Sequence, residues 1–288
     1  MATALSAVEA RALERKAARE DTSNRSNRKG FFTDTTLCIG CKACEVACKQ
    51  WNQLPGDGLL FTGMSYDNTV ALGASTWRHV AFVERPMALS TQDAGAFSWL
   101  FSSDVCKHCV RAGCLESCPT GAIVRTEFDS VYVQPDVCNG CGYCVINCPF
   151  GVIDRRVEDG RAWKCTLCYD RLKQEMEPAC AKACPTDSIK FGDLDELRET
   201  ATARVNRLHE QGMSEAYLYG ADAAGQPGTE GLNAFFLLVD KPEVYNLPPD
   251  PVVPTKTVKE AWTSFAWAAL GMAAVAVASA FTSMKSHA

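Results

Sequence analysis

Residues 138–149 read Cys138-Asn139-Gly140-Cys141-Gly142-Tyr143-Cys144-Val145-Ile146-Asn147-Cys148-Pro149. Three cysteines stand two residues apart, a fourth follows after three more, and a proline comes directly behind it. The same grammar recurs along the chain. Cys38, Cys41, Cys44 and Cys48 repeat the spacing, Cys106, Cys109, Cys114 and Cys118 widen the middle gap to four residues, and Cys165, Cys168, Cys180 and Cys184 widen it to eleven. All 16 cysteines fall into these quartets, so no thiol is left over. Pro119, Pro149 and Pro185 follow three of the quartets, whereas Lys49 follows Cys48.

Four thiolates hold a cubane iron–sulfur cluster, and this run followed by proline is the spacing of bacterial two-cluster ferredoxins, whose fourth cysteine serves the other cluster. The reason is geometric. Three cysteines on one tight loop wrap three corners of a cluster, while the fourth lies about one turn into the next segment and points away. Proline behind it fixes φ and withholds a donor, so the chain turns aside. Two runs make one two-cluster unit, and four runs predict four [4Fe-4S] clusters in two ferredoxin-like units. Disulfides belong to short, loop-rich secreted chains without such a repeat, and four-cysteine zinc sites pair separated C-x2-C knuckles without a third cysteine or a C-x3-C-P step. Both alternatives fit the spacing worse.

The remaining composition sets bounds. At 288 residues the chain has room for one or two domains, although metal ligation supplies folding energy of its own. A formal charge of −5 and the lack of a basic block argue against a nucleic-acid partner. The cysteine count says nothing about compartment, because clusters account for every thiol. Residues 1–30 read as a polar N-terminal extension, a solvated helix and then a Ser-Asn-Arg linker, with no apolar core of a signal peptide. Residues 31–240 read as the four-cluster domain.

Between Cys48 and Cys106 lies an insertion, with a turn-rich stretch from Gly56 to Gly63 and strand character over His79–Val83. Val131–Val133 and Val152–Asp154 read as short strands beside the quartets. Asp193 with Glu196 offers a capping box for a helix whose apolar face is Leu197, Ala201, Val205 and Leu208, and Phe235–Val239 reads as a buried strand. Residues 241–257, with five prolines, form an extended strap or linker. Residues 258–284 are expected to be a transmembrane anchor helix: Ala261–Phe281 carries no formal charge, and about 20 helical residues span about 30 Å of hydrocarbon. Trp262 and Trp267 suit an interfacial belt, and Ala269, Gly271 and Ala273 would let another helix approach. The many alanines also fit a buried soluble helix.

Catalytic machinery is not visible: there is no glycine-rich dinucleotide fingerprint, no nucleophile–base pairing and no histidine set for metal or haem. Lys107, Lys164 and Lys182 abut ligands, and their charge raises a nearby potential if buried and does little if solvated. His108 reads as an exposed loop histidine, with hydrogen bonding to its cluster as the other reading. A chain whose conspicuous chemistry is four one-electron clusters moves electrons.

This sequence resembles the iron–sulfur β subunits of molybdenum- or tungsten-containing membrane oxidoreductases, and among them those of respiratory formate dehydrogenases. The resemblance covers nearly the whole chain. It rests on the order and spacing of the quartets, on Cys48-Lys49-Gln50-Trp51-Asn52, on Cys118-Pro119-Thr120-Gly121-Ala122, on the eleven-residue gap before Cys180 and on one C-terminal span. The family tolerates the missing proline after Cys48. The resemblance implies an α+β fold of two ferredoxin-like two-cluster units with an inserted strand region and one C-terminal transmembrane helix. It also implies a crossed ligand pairing: Cys38, Cys41 and Cys44 with Cys184; Cys165, Cys168 and Cys180 with Cys48; Cys106, Cys109 and Cys114 with Cys148; Cys138, Cys141 and Cys144 with Cys118.

By the same resemblance the chain is a non-catalytic electron-transfer subunit. Its partners would be a molybdopterin or tungstopterin catalytic α subunit that oxidises formate and an integral membrane γ subunit, haem b-bearing or haem-free, that reduces quinone. It would sit at the cell membrane as a single-pass protein, with either face open for its hydrophilic part. The corresponding subunit of a hydrogenase, or of a sulfur-compound, nitrate or dimethyl sulfoxide reductase, is the alternative. A self-contained enzyme would need a cluster with an open iron.

Overall fold

The computed structural model describes residues 27–56, 61, 63, 69, 71–86 and 97–286, without the side chains of 85, 86, 97, 98 and 277–286. The solvated N-terminal helix expected before Gly30 and most of the Gly56–Gly63 turn lie outside the described residues.

The chain opens with strand β1 (Lys29–Asp34). The first quartet follows, its last two cysteines on helix α1 (Ala43–Trp51). The insertion contributes an antiparallel pair, β2 (Arg78–Pro86) and β3 (Phe97–Val105), in the register Arg78↔Val105 and Phe82↔Phe101. Next come α2 (Gly113–Glu116), the pair β4 (Ile123–Arg125) and β5 (Val131–Val133), and α3 (Tyr143–Ile146). A two-residue pair, β6 (Asp154–Arg155) and β7 (Ala162–Trp163), leads to α4 (Tyr169–Leu172) and α5 (Ala179–Lys182). The chain then makes β8 (Ile189–Asp193), α6 (Leu194–Glu210), β9 (Tyr217–Tyr219) and β10 (Ala234–Leu238). Two 3-10 turns, Pro242–Tyr245 and Pro254–Thr257, precede the terminal helix α7 (Val258–Ser286). The content is mixed α and β, and two ferredoxin-like dicluster units make up its centre.

A four-stranded sheet in the order β8-β1-β10-β9 ties the ends of this centre together, with β1 parallel to β10 and antiparallel to β8. Alternate residues of a strand face opposite sides, and β1 uses both. Phe31 joins the core that holds Cys44, Cys48, Cys165 and Cys180, while Phe32 packs with Phe235 against the far side, ring centroids 5.4 Å apart. Helix α6 covers that far side with Leu194, Leu197, Ala201 and Leu208. Its start is set by Asp193, whose carboxylate accepts from the Asp195 N–H at 3.1 Å. Both faces of β10 are covered, so Phe235-Phe236-Leu237-Leu238 is an unbroken apolar run.

Three expectations are adjusted. Val152 and Ile153 are buried without forming a strand, and pairing begins only at Asp154, because their side chains fill the cores of the two cluster units. The proline-rich stretch is not extended throughout: 3-10 turns occupy Pro242–Tyr245 and Pro254–Thr257, Tyr245, Leu247 and Val253 are buried, and Leu247 N–H donates back to the Pro242 carbonyl. The helix expected over 258–284 is present, but among the described residues no helix is long and apolar enough to cross a membrane. Alanines dominate its middle, and Lys259 and Glu260 stand at its start. Its Trp262, Phe265, Trp267, Leu270, Met272 and Val275 are all exposed.

The helices bearing the third cysteines pair closely, α1 with α5 and α2 with α3. A Cβ at Gly113 would lie 2.4 Å from the Asn147 carbonyl oxygen, a backbone atom with nowhere to go. Gly113→Ala therefore pries α2 from α3 and is expected to destabilise the fold by about 1–3 kcal/mol. The check is the temperature at which cluster absorbance is lost, which falls for Gly113→Ala and holds for Gly271→Ala, where the added carbon meets nothing within 4 Å.

Candidate metal centres

Every quartet begins on a loop in which the residue before the second cysteine has positive φ: Gly40 at 68°, His108 at 44°, Gly140 at 73° and Leu167 at 58°. This left-handed residue turns the loop tightly between its first two cysteines. Glycine takes the conformation freely, whereas histidine and leucine hold it against about 1–2 kcal/mol of strain. The third and fourth cysteines stand four residues apart on or beside α1, α2, α3 and α5. One helical turn puts them on the same side but about 6 Å along the axis, which carries the fourth thiol out of its own loop's cavity.

Where each thiol goes can be read from the cavities. One is lined by Cys38, Cys41, Cys44 and Cys184. A second is lined by Cys106, Cys109, Cys114 and Cys148. A third is lined by Cys118, Cys138, Cys141 and Cys144. The remaining four face one another: burial pushes the Cys48 thiol up, and the charges of Cys165, Cys180 and Cys168 push it further. The fourth cysteine of each quartet thus sits among three from another quartet.

Electrostatics says what such cavities need. Burial, ahead of any neighbour, raises the Cys44 thiol to about 11 and Cys114 to about 12, and crowding by other thiols adds to the Cys114 shift. Cys109 is pushed well above its ordinary value by burial and by Cys148. Thiolates gathered here are stable only against compensating positive charge, which the irons of a cluster supply. Among the described residues no three His, Cys, Asp or Glu side chains converge on a single-ion site. A thiol set ringing a cavity of this kind fits a multi-atom [4Fe-4S] group.

Two buried cations come with the thiols. Arg78, at the start of β2, is 1% exposed, donates to Cys180 Sγ at 3.3 Å and to Ser103 O at 3.1 Å, and lies 4.8 Å over the Phe31 ring. Burial alone would weaken its hold on the proton, but the charges of Cys180, Cys44 and Cys165 more than offset that. It therefore stands between the cavity of Cys44 and the group containing Cys180. Lys164 donates to Cys106 Sγ at 3.5 Å and to the Cys165 carbonyl at 2.9 Å, so its charge lies between the two units. Again burial opposes the charge, and Cys106, Cys114 and Cys165 prevail. Nothing in the spacing of the sequence marked Arg78, one of two arginines in the insertion.

The other flanking residues divide. Lys107 is buried, ion-paired with Asp104 and placed over the Phe150 and Phe236 rings, so its charge is largely met locally. Lys182 is exposed. His108 is not an exposed loop residue: it is 1% exposed, and its Nδ1 accepts from the Val131 N–H at 3.0 Å. Burial first, then the charges of Lys164 and Arg125, hold it well below the ordinary imidazole range, so the ring is neutral. Neutral donors also approach the sulfurs: Ser103 Oγ lies 3.2 Å from Cys44 Sγ, and Asn52 Nδ2 lies 3.7 Å from Cys48 Sγ.

Comparison with known proteins agrees with this chemistry. Two models described as 4Fe-4S dicluster domain match residues 97–194 and 37–122. The formate dehydrogenase iron-sulfur subunit of Haemophilus influenzae is 41% identical over 224 residues, covering 76% of this chain and 68% of the relative. The chain belongs to the formate dehydrogenase iron–sulfur subunit family. The nitrate-inducible formate dehydrogenase iron-sulfur subunit of Escherichia coli is 40% identical over 226 residues, 77% of this chain and 73% of the relative. The B subunit of anaerobic dimethyl sulfoxide reductase from the same organism is more distant, 33% identical over 185 residues, 62% of this chain and 83% of that subunit. This iron–sulfur subunit is an electron-transfer protein with four [4Fe-4S] clusters, and it works with a catalytic subunit.

The position of Arg78 in the iron–sulfur subunit generates a prediction. Removing a cation buried among thiolates leaves their charge uncompensated, a loss of about 3–5 kcal/mol for buried pairs. Arg78→Met is expected to lower iron content and to disturb the two clusters on either side of it, while Arg78→Lys keeps most of the iron. Iron per chain and low-temperature electron paramagnetic resonance of the complex report both.

Proposed function

We propose that the crossed cysteine sets ligate the four clusters and that these form a single file. The order would run from the set of Cys38, Cys41, Cys44 and Cys184 to that of Cys48, Cys165, Cys168 and Cys180, then to that of Cys106, Cys109, Cys114 and Cys148, and last to that of Cys118, Cys138, Cys141 and Cys144. The observation that carries this reading is the neighbourhood of thiols between sets. Cys44 feels Cys180, Cys165 feels Cys106, and Cys114 feels Cys144. Cys41 and Cys141, in the first and last sets, are the exposed cysteines, whereas the sets between them have none. Electrons enter and leave a wire at its exposed ends.

The ends also differ in what surrounds them. Ile39 and Val46 are exposed near Cys41, and Val137, Tyr143 and Ile146 near Cys141, which suits a partner surface at each. The root of α7 lies beside the second unit: Thr255 Oγ bonds to Glu116 Oε2, and a Cβ on Gly113 would come 3.1 Å from Val253 Cγ1. The second unit, which ends the file, is therefore the one on the side of the terminal helix. In this reading electrons come from a pterin-bearing α subunit that oxidises formate, enter at Cys41's cluster and leave from Cys141's to a membrane γ subunit that reduces quinone. Relatives at 40–41% identity that are named formate dehydrogenase subunits support the substrate. The relative named for dimethyl sulfoxide reductase keeps a second reading, the same wire serving another catalytic partner.

Helix α7 is the anchor in this proposal. Its apolar side chains stand exposed, and its small residues admit a neighbouring helix, so lipid and a helix of the γ subunit would cover it together. The hydrophilic part would face the outer side.

The test uses the complex purified with its partners from membranes. Formate-dependent reduction of a quinone analogue is expected, and clusters that stay oxidised with formate would move the wire to another catalytic partner. Cys184→Ser should remove or alter the cluster of Cys38, Cys41 and Cys44; damage to the cluster of Cys165 and Cys168 instead would refute the crossing. A chain ending at residue 257 should keep formate-dependent dye reduction and lose quinone reduction and sedimentation with membranes.

A further inference from the structure

The second unit holds a buried nitrogen, Nε2 of His108, that neither the ligand sets nor the fold uses. His108 lines the cavity of Cys106, Cys109, Cys114 and Cys148 and is 1% exposed. Its Nδ1 is committed as an acceptor to the Val131 N–H at 3.0 Å. A ring nitrogen that accepts a hydrogen bond carries no hydrogen itself, so the ring's N–H sits on Nε2. Nε2 is buried and has no hydrogen-bond partner among the described residues. Leaving such a donor unmatched costs about 1–3 kcal/mol.

The backbone sharpens the point. His108 sits at the left-handed position before the second cysteine, where the first and third quartets have Gly40 and Gly140. Glycine would satisfy that turn without strain, so histidine there adds backbone strain to an unmatched donor. Both are accounted for if the side chain serves the group that the cavity holds. The ring's orientation is also fixed: Val131 is held in β5 by pairing with Arg125, and the peptide whose N–H His108 accepts from is gripped at its other end, where the Ser130 carbonyl accepts from the Thr126 N–H at 2.9 Å.

We propose that His108 is a potential-setting residue whose Nε2–H donates a hydrogen bond to a sulfur of the cluster held by Cys106, Cys109, Cys114 and Cys148. This rests on the ligand assignment proposed above. On reduction the cluster gains one electron from its neighbour in the file and no proton moves, since Nε2 keeps its hydrogen. The added negative charge strengthens the bond to sulfur, so the reduced form is stabilised more than the oxidised form and the potential rises.

The experiment is a redox titration of the whole complex followed by electron paramagnetic resonance, comparing the unaltered protein with His108→Gly and His108→Gln. Glycine suits the turn and removes the donor; glutamine retains one. In His108→Gly a single cluster should become harder to reduce, by about tenfold in its reduced-to-oxidised ratio at fixed poise, or about 59 mV for one electron, with partial recovery in His108→Gln. Four unchanged midpoints in His108→Gly would overturn the proposal. Pulsed resonance on the complex with 15N-histidine supplies a readout that needs no variant: a nitrogen coupling to one reduced cluster is expected, and its absence also overturns the proposal. Cys109→Ser and Cys148→Ser separate the two levels of inference. If they alter different clusters, the crossing fails while His108 can still act on the cluster that Cys109 reports. If they alter the same cluster and His108→Gly shifts none, the ligand assignment stands and His108 is only a strut.

Discussion

Gathering thiolates away from water is the constraint on which the rest of this molecule depends. Thiolates within a set repel one another, and burial drives the deeper members toward their neutral form, as the raised thiols of Cys44, Cys109 and Cys114 record. Iron inside the ring answers most of that repulsion. The protein answers the remainder with Arg78 and Lys164, each set between two groups of sulfur instead of beside one. A cation in that position acts on two clusters at once. The insertion between the first two quartets is thereby part of the electron path, since it is what carries Arg78 inward, and its strands are more than decoration on a ferredoxin frame.

The sheet and α6 have the complementary task. They contribute no ligand, but β1 and β10 close the chain around the cluster units, with Phe31 on the sulfur side and Phe32 on the helix side. Small two-cluster proteins have little apolar surface to bury, and here α6 supplies a conventional core behind the inorganic one.

Much of this was legible in the sequence because it obeys short periods. The quartets, the strand over His79–Val83, the helix opening at Asp193 with Leu197, Ala201 and Leu208 inward, and the strand at Phe235 all follow from spacing. The pairing partner of β2 was missed, although Trp99, Phe101 and Ser103 alternate with Leu100 and Ser102. Other features had no local signal. Arg78 looks like any strand arginine until β2 places it against Cys180, and the burial of His108 depends on β5 and on Lys164, both distant in the chain. Val152 and Ile153 have strand composition, yet tertiary packing uses them as filler. The terminal helix was visible as a helix, but its alanines leave its surroundings to be decided by what it touches.

The distribution of cysteines along the chain has a consequence for biosynthesis. The set of Cys106, Cys109, Cys114 and Cys148 and that of Cys118, Cys138, Cys141 and Cys144 come from one continuous stretch, complete once residue 148 has left the ribosome. With crossed ligation the sets that begin at Cys38 and at Cys48 wait for Cys184 and Cys180. Iron–sulfur assembly would then proceed from the middle of the polypeptide outward, and the earliest thiols made are the last to be sealed. A nascent chain would carry open thiols at its leading end for most of its synthesis.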